Sequence, residues 1–146
     1  MTDRSKVIFG NEISSRDYKK SVKSKNKFIR KFGDDSDADY PVRIEENPYI
    51  GGSLGVKNVL VGDLSKNVHY DPERNAPALE WDADKGIIVG NIRMGFGHYR
   101  ISMAIASAAH SMGYVPYWMD LNSYGETTCT KVIGAQNDLY SLGSRL

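Results

Sequence analysis

The residues best placed to do chemistry are Gly95-Phe96-Gly97-His98, flanked by Arg93 and Arg100 and followed 25 residues after Gly95 by Asp120. Glycines at this spacing permit positive φ in a sharp turn and leave the backbone open to a ligand, because no Cβ stands in the way. A helix starting beside them would present unpaired N–H groups and a positive dipole end to phosphate or another anion. Arg93 and Arg100 could add charge-assisted contacts. His98 offers an imidazole able to take a proton from a hydroxyl, and Asp120 offers a carboxylate. The candidate catalytic residues are therefore His98 and Asp120. The candidate substrate- or phosphate-binding residues are Arg93, Gly95, Phe96, Gly97 and Arg100.

Familiar glycine-loop motifs do not fit. The dinucleotide fingerprint needs a third glycine where Arg100 stands. A P-loop needs Gly-Lys-Ser/Thr, and a nucleophile elbow needs serine where Phe96 stands. The three histidines His69, His98 and His110 share no metal-ligand spacing, so no metal is proposed. His69, in an expected loop, and His110, on an expected helix flank, are weaker candidates than His98.

The elements that would hold the loop can be read from periodicity. Gly86 to Ile92 is an apolar, β-branched run suited to a buried parallel strand. From His98 to Met112 the pattern turns helical, with Ile101, Ala104, Ile105, Ala108 and Met112 at spacings of three and four as the expected buried face. Gly113 ends that helix. Tyr114 to Asp120 forms a second strand whose carboxylate lies at its C-terminal end, where open α/β sheets bind ligands. Trp118 and Met119 are expected to fill the core. A further helix starts near Thr127 and carries Val132, Ile133, Leu139 and Tyr140. Such a lone βαβ does not complete a doubly wound sheet, so residues 86–146 read as the truncated start of a longer domain.

The preceding residues divide in two. Residues 1–40 form a polar arm in which Lys19 to Lys31 holds seven basic and no acidic residues, with Tyr18, Val22, Lys25, Ile29 and Phe32 at helical spacing. This is an exposed helix or, functionally, a helix lying on an anionic membrane surface. Asp35, Asp37, Asp39 and Glu46 mimic part of a calcium loop, but Tyr40 stands where glycine is required and Pro41 follows. Residues 41–85 read as a short-strand extension: Lys57 to Leu64 is a strand, and Leu79 to Trp81 is expected to pair as a hairpin with Ile87 to Val89.

Composition sets outer bounds. At 146 residues the chain is the size of one ordinary domain, and a net charge of +1 gives no case for nucleic acid. The lone Cys129 can form no internal disulfide. Asp3, Arg4 and Lys6 leave no apolar leader, and no run approaches the length of a membrane span. A cytoplasmic protein is expected, with peripheral membrane contact through Lys19 to Lys31 as the attendant possibility.

Met94-Gly95-Phe96-Gly97-His98-Tyr99-Arg100, with Ala104, Ala106, Ala108 and Gly113-Tyr114-Val115, resembles the start of the N-terminal domain of GT-B glycosyltransferases. It is most similar to the branch holding the peptidoglycan N-acetylglucosaminyltransferase and the monogalactosyldiacylglycerol synthases. The resemblance covers about 35 residues of strand, loop, helix and strand. It implies an α/β fold, the acceptor-side half of a Rossmann-like pair, preceded by the strand-rich extension. It also implies a sugar acceptor that is lipid-linked or phosphate-bearing, His98 as base or positioner, and a UDP-sugar donor held by a C-terminal domain outside this sequence. Two departures stand out: some 85 to 90 residues precede the loop, and Phe96 replaces a small residue. The residues alone also admit a non-catalytic nucleotide- or phosphate-binding module, or a regulatory domain in which the loop is only a turn.

Overall fold

The computed structural model describes residues 6–144; Asp3, Arg4 and Leu146, considered above, lie outside them. The chain divides into two compact units, Met1–Ser36 and Asp37–Leu146.

In the first unit, β1 (Val7–Ile8) and β2 (Asn11–Glu12) pair antiparallel around Phe9-Gly10. Both turn residues have positive φ, as a two-residue hairpin of matching twist requires. α1 (Ser15–Phe32) starts where the Ser14 hydroxyl accepts from the Asp17 amide at 3.1 Å and stops at Gly33, which donates to Ile29 O. None of its residues is buried. It is the helix expected from the spacing of Tyr18, Val22, Lys25, Ile29 and Phe32.

The second unit runs β3 (Val42–Glu46), α2 (Gly51–Leu54), β4 (Lys57–Val61), β5 (Gly86–Asn91), α3 (Phe96–Ser111), β6 (Val115–Asp120) and α4 (Thr128–Gly143). Short 3-10 turns at Leu64–Lys66 and Pro72–Arg74 punctuate the long connection from β4 to β5. The four strands form one mixed sheet in the order β3-β4-β6-β5: β4, β6 and β5 are parallel, and β3 is antiparallel to β4. The fold is mixed α/β. Residues 41–85 are thus no separate extension, because β4 pairs directly with β6 through Lys57↔Tyr117 and Asn58↔Trp118.

Alternation sorts the side chains onto two faces. On one, Val56, Val89 and Trp118 pack against Ala106 of α3. On the other, Ile44, Val59, Val61 and Tyr117 pack with Tyr124. The register also sets Glu45, Asn58, Trp118 and Val89 side by side on the α3 face.

Three expectations are corrected here. First, Ile87 to Val89 pairs in parallel with Pro116 to Trp118, not as a hairpin with Leu79 to Trp81. Leu79 bridges Ile44, and Trp81 stacks on Tyr117 with centroids 4.2 Å apart. The tight turn after Trp81, in which Asp82 Oδ1 accepts from Asp84 N and Lys85 N, carries the chain into β5 without laying a strand beside it.

Second, α3 buries Ser102, Ala106 and Ala109, whereas the whole expected face, Ile101, Ala104, Ile105, Ala108 and Met112, is exposed. The face made of small residues alone is the one turned inward, because it lets the helix axis come close to the sheet: the Ser102 hydroxyl reaches Gly90 O at 2.9 Å. Third, α3 begins at Phe96, two residues before the expected start at His98. Gly97 lies in its first turn. Only Gly95, at φ +119, needs glycine's conformational freedom.

Candidate functional site

A cleft of about 730 Å³ opens at the carboxyl ends of β5 and β6, beside the start of α3. This is the end at which open parallel sheets bind ligands, and the volume lies in the usual range for small-molecule sites, about 300–1,000 Å³. Asn91 and Asp120 end the two strands, Gly95, Phe96 and Tyr99 come from the start of α3, and His69 and Arg74 come from the β4–β5 connection.

Asp120 anchors the cleft floor. Its Oδ2 accepts from Arg93 Nε at 2.8 Å and Arg93 Nη2 at 2.7 Å, and lies 3.1 Å from His69 Nε2. Its Oδ1 accepts from the Asn122 amide at 3.1 Å. The side chain is only 4% exposed. Burial pushes the carboxyl up, but the hydrogen bonds from His69 and Arg93, with the guanidinium charge, hold it below the ordinary aspartate value. Asp120 is therefore an ionised anchor.

Arg93 is itself fixed. Its amide donates to Asn122 Oδ1 at 2.7 Å, and Nη2 also reaches Ser123 Oγ at 3.1 Å. His69 Nε2 lies 2.7 Å from the same Nη2. A guanidinium can only donate to Nε2 and a carboxylate can only accept from it, so the two contacts call for opposite tautomers of the ring. The imidazole thus stands between a cation and an anion that compete for one nitrogen.

The position of His69 comes from Asn67. This buried carboxamide donates from Nδ2 to Val61 O at 2.8 Å and to Asp63 O at 3.0 Å, and its Oδ1 accepts from Val61 N at 3.0 Å. Val68 N then donates to Ser123 O at 3.0 Å. These bonds tie the connection to β4 and to the turn after β6, two residues and one residue before the imidazole.

Arg74 of the cleft lining is bound to a second buried carboxylate, Glu45, which lies outside the lining. Glu45 accepts from Arg43 Nε at 2.8 Å and from Arg74 Nη2. Beside it, Asn58 Oδ1 accepts from Asn47 Nδ2 at 2.8 Å. The walls are aromatic: Tyr99 meets Trp118 edge to face, centroids 5.7 Å apart, and Tyr49, Tyr70 and Phe96 extend the lining. Asn91 is 4% exposed, and its Oδ1 has no hydrogen-bond partner among the described residues. A buried acceptor left unmatched carries a desolvation cost that a ligand donor or a water would relieve.

Of the sequence candidates, Arg93, Gly95, Phe96 and Asp120 line this cleft; His98, Gly97 and Arg100 do not, and all three are exposed on the first turns of α3. Arg93, expected to hold an anion, is engaged with Asp120. Sequence reading set His69 aside as a loop residue and overlooked Asn91. Two signals were present: His69 lies in the connection leaving a parallel strand, and Asn91 is a polar residue closing an apolar β-branched run. Trp118 serves both roles, packed in the α3 core and forming part of the cleft wall.

The family model described as Domain of unknown function (DUF6937) matches residues 7–146, and the chain belongs to that family. No curated protein and no solved structure matches it.

Proposed function

We propose that this chain is the acceptor-side part of a nucleotide-sugar-dependent glycosyltransferase, with the acceptor seated in the cleft at the carboxyl ends of β5 and β6. The observation that carries the reading is the Asp120–Arg93–His69 cluster on the floor of an aromatic-walled cleft, at the end of a βαβ unit whose loop and helix resemble the GT-B acceptor half. The Rossmann-like half and its donor-binding counterpart belong to this proposal. So does the placement of the nucleotide-sugar on a domain beyond these residues.

In this reading an acceptor hydroxyl attacks the anomeric carbon of the donor sugar, the bond to the nucleoside diphosphate breaks, and the hydroxyl proton passes to an imidazole. His69 is the imidazole within the cleft: with its Nε2–H donated to Asp120, the lone pair that takes the proton is on Nδ1. His98, near the start of α3, is the second candidate. Peripheral contact of α1 with an anionic membrane, and a lipid-linked acceptor, belong to the same proposal.

The test is transfer from radiolabelled UDP-sugars to glycoside and glycolipid acceptors, using the protein together with its donor-binding half. Replacing the operative base, by His69→Ala or His98→Ala, should lower the rate by about two to four orders of magnitude while leaving UDP-sugar affinity unchanged. Wild-type rates in both variants would refute a histidine base. Loss of nucleotide affinity at the Gly95 turn, with the fold intact, would point instead to a non-catalytic nucleotide- or phosphate-binding module.

A further inference from the structure

We infer that the cleft takes an uncharged, hydroxyl-bearing ring, a neutral glycoside, and not a phosphate, and that Asn91 Oδ1 accepts a hydrogen bond from one of its hydroxyls. The inference deepens the acceptor-site reading and rests on the cleft that reading uses.

Electrostatics supply the first argument. The cleft lining carries two arginines, Arg74 and Arg93, and two aspartates, Asp71 and Asp120. Both guanidinium groups are already bound to buried carboxylates: Arg93 to Asp120, and Arg74 to Glu45. A phosphate entering the cleft would find its cations neutralised and would sit beside two carboxylates. Its lost hydration would not be replaced by an equivalent charge contact. The start of α3 remains a weak attractor for an anion, with Gly95 contributing no side-chain cap. The carboxylates oppose that attraction.

The unmatched acceptor supplies the second, independent argument. Asn91 ends β5 on the face shared with Trp118 and Asp120, almost fully buried, yet its Oδ1 meets no donor among the described residues. A fully ionised phosphate ester offers only acceptors and cannot satisfy an acceptor. A hydroxyl can. It donates to Asn91 Oδ1 and still accepts from a neighbouring donor, which suits a cleft where donors and acceptors alternate.

The walls fit the same ligand. Trp118 and Tyr99, with Tyr49 and Phe96 toward the opening, offer ring surfaces for the C–H face of a sugar, while the polar groups sit on the floor. Asn91 would act here as a residue that reads one hydroxyl, since a buried polar group built for a partner discriminates strongly against a ligand that lacks it.

The test is titration of the chain with methyl glycosides and, separately, with inorganic phosphate, followed by calorimetry and tryptophan fluorescence. Wild-type protein should bind at least one methyl glycoside saturably and should not bind phosphate. Asn91→Leu should weaken glycoside binding about tenfold, the loss of one hydrogen bond, while holding or raising the unfolding midpoint, because an unmatched polar atom has been removed.

Saturable phosphate binding without glycoside binding would overturn the inference, and that measurement needs no variant. Unchanged glycoside affinity in a folded Asn91→Leu protein would overturn the role of Asn91. Glycoside binding in a protein that transfers no sugar would uphold the inference while removing the glycosyltransferase reading.

Discussion

Glu45 and Asp120 are two buried carboxylates on the same face of one sheet, yet they are held differently. Glu45 is shared between two guanidinium groups, one on each oxygen: Arg43 on Oε1 and Arg74 on Oε2. Arg43 also donates from Nη2 to Ala76 O at 2.6 Å, which pins the β4–β5 connection to β3. Asp120 instead concentrates its partners on one oxygen, where a guanidinium and an imidazole both reach Oδ2. The first arrangement is redundant and closes a loop. The second leaves a ring nitrogen with two competing uses, beside an unmatched carboxamide. One carboxylate is held by charges alone, the other by a charge and a ring nitrogen beside the cleft.

The contrast can be broken most severely at Arg93. Arg93→Met leaves Asp120 buried with only His69 and the Asn122 amide. We expect a loss of about 3 kcal/mol in urea unfolding at neutral pH, the lower end of the range for breaking a buried pair, because Arg93 is 40% exposed. A loss below ~1 kcal/mol would mean that His69 and the Asn122 amide suffice.

Arg74→Met should cost less, about 1.5–3 kcal/mol, since Arg43 still holds the other oxygen of Glu45. Equal losses in the two variants would erase the distinction drawn between redundant and concentrated pairing.

The smallest effect is in pH. The folded carboxyl of Asp120 lies below its ordinary value of 3.8. Its stabilising contribution is therefore complete above that unfolded-chain value and is lost as pH falls through the lower folded value. Asp120→Asn should flatten the acid limb of the stability profile relative to wild type in that window. The exposed Asp34 and Asp63, also held low by Ser36 and Ser65, act alike in both proteins and cancel in the difference. Identical acid limbs would remove Asp120 as an ionised anchor.

These results bear on what a sequence can show. The β5–α3–β6 run was legible because its period changes from a β-branched run to helical spacing across a glycine turn. The buried face of α3 was not, since hydrophobic weight pointed to Ile101, Ile105 and Met112 while close packing selected Ser102, Ala106 and Ala109. That choice is set by the distance between helix and sheet, which periodicity does not contain. Asp120 and Arg93 could be named individually, because each ends or follows a strand. Their mutual bond could not be read, because it spans 27 residues and depends on the register of β5 against β6. His69 was harder still: its place in the cleft depends on β4 joining the sheet, and the long β4–β5 connection carries no periodicity to announce it.

Asn67 turns a side chain into a surrogate peptide. By giving and receiving at both polar backbone atoms of Val61 it takes the place of a strand neighbour at the end of β4, where the pairing with β6 has already stopped. The amide hydrogen of Val61 is therefore shielded from solvent by a single rotatable carboxamide. Amide exchange at Val61 would report the opening of that carboxamide. His69, two residues on, is held besides by the bond from Val68 N to Ser123 O. The cleft is thus braced from behind, by an amide that lies outside its own lining.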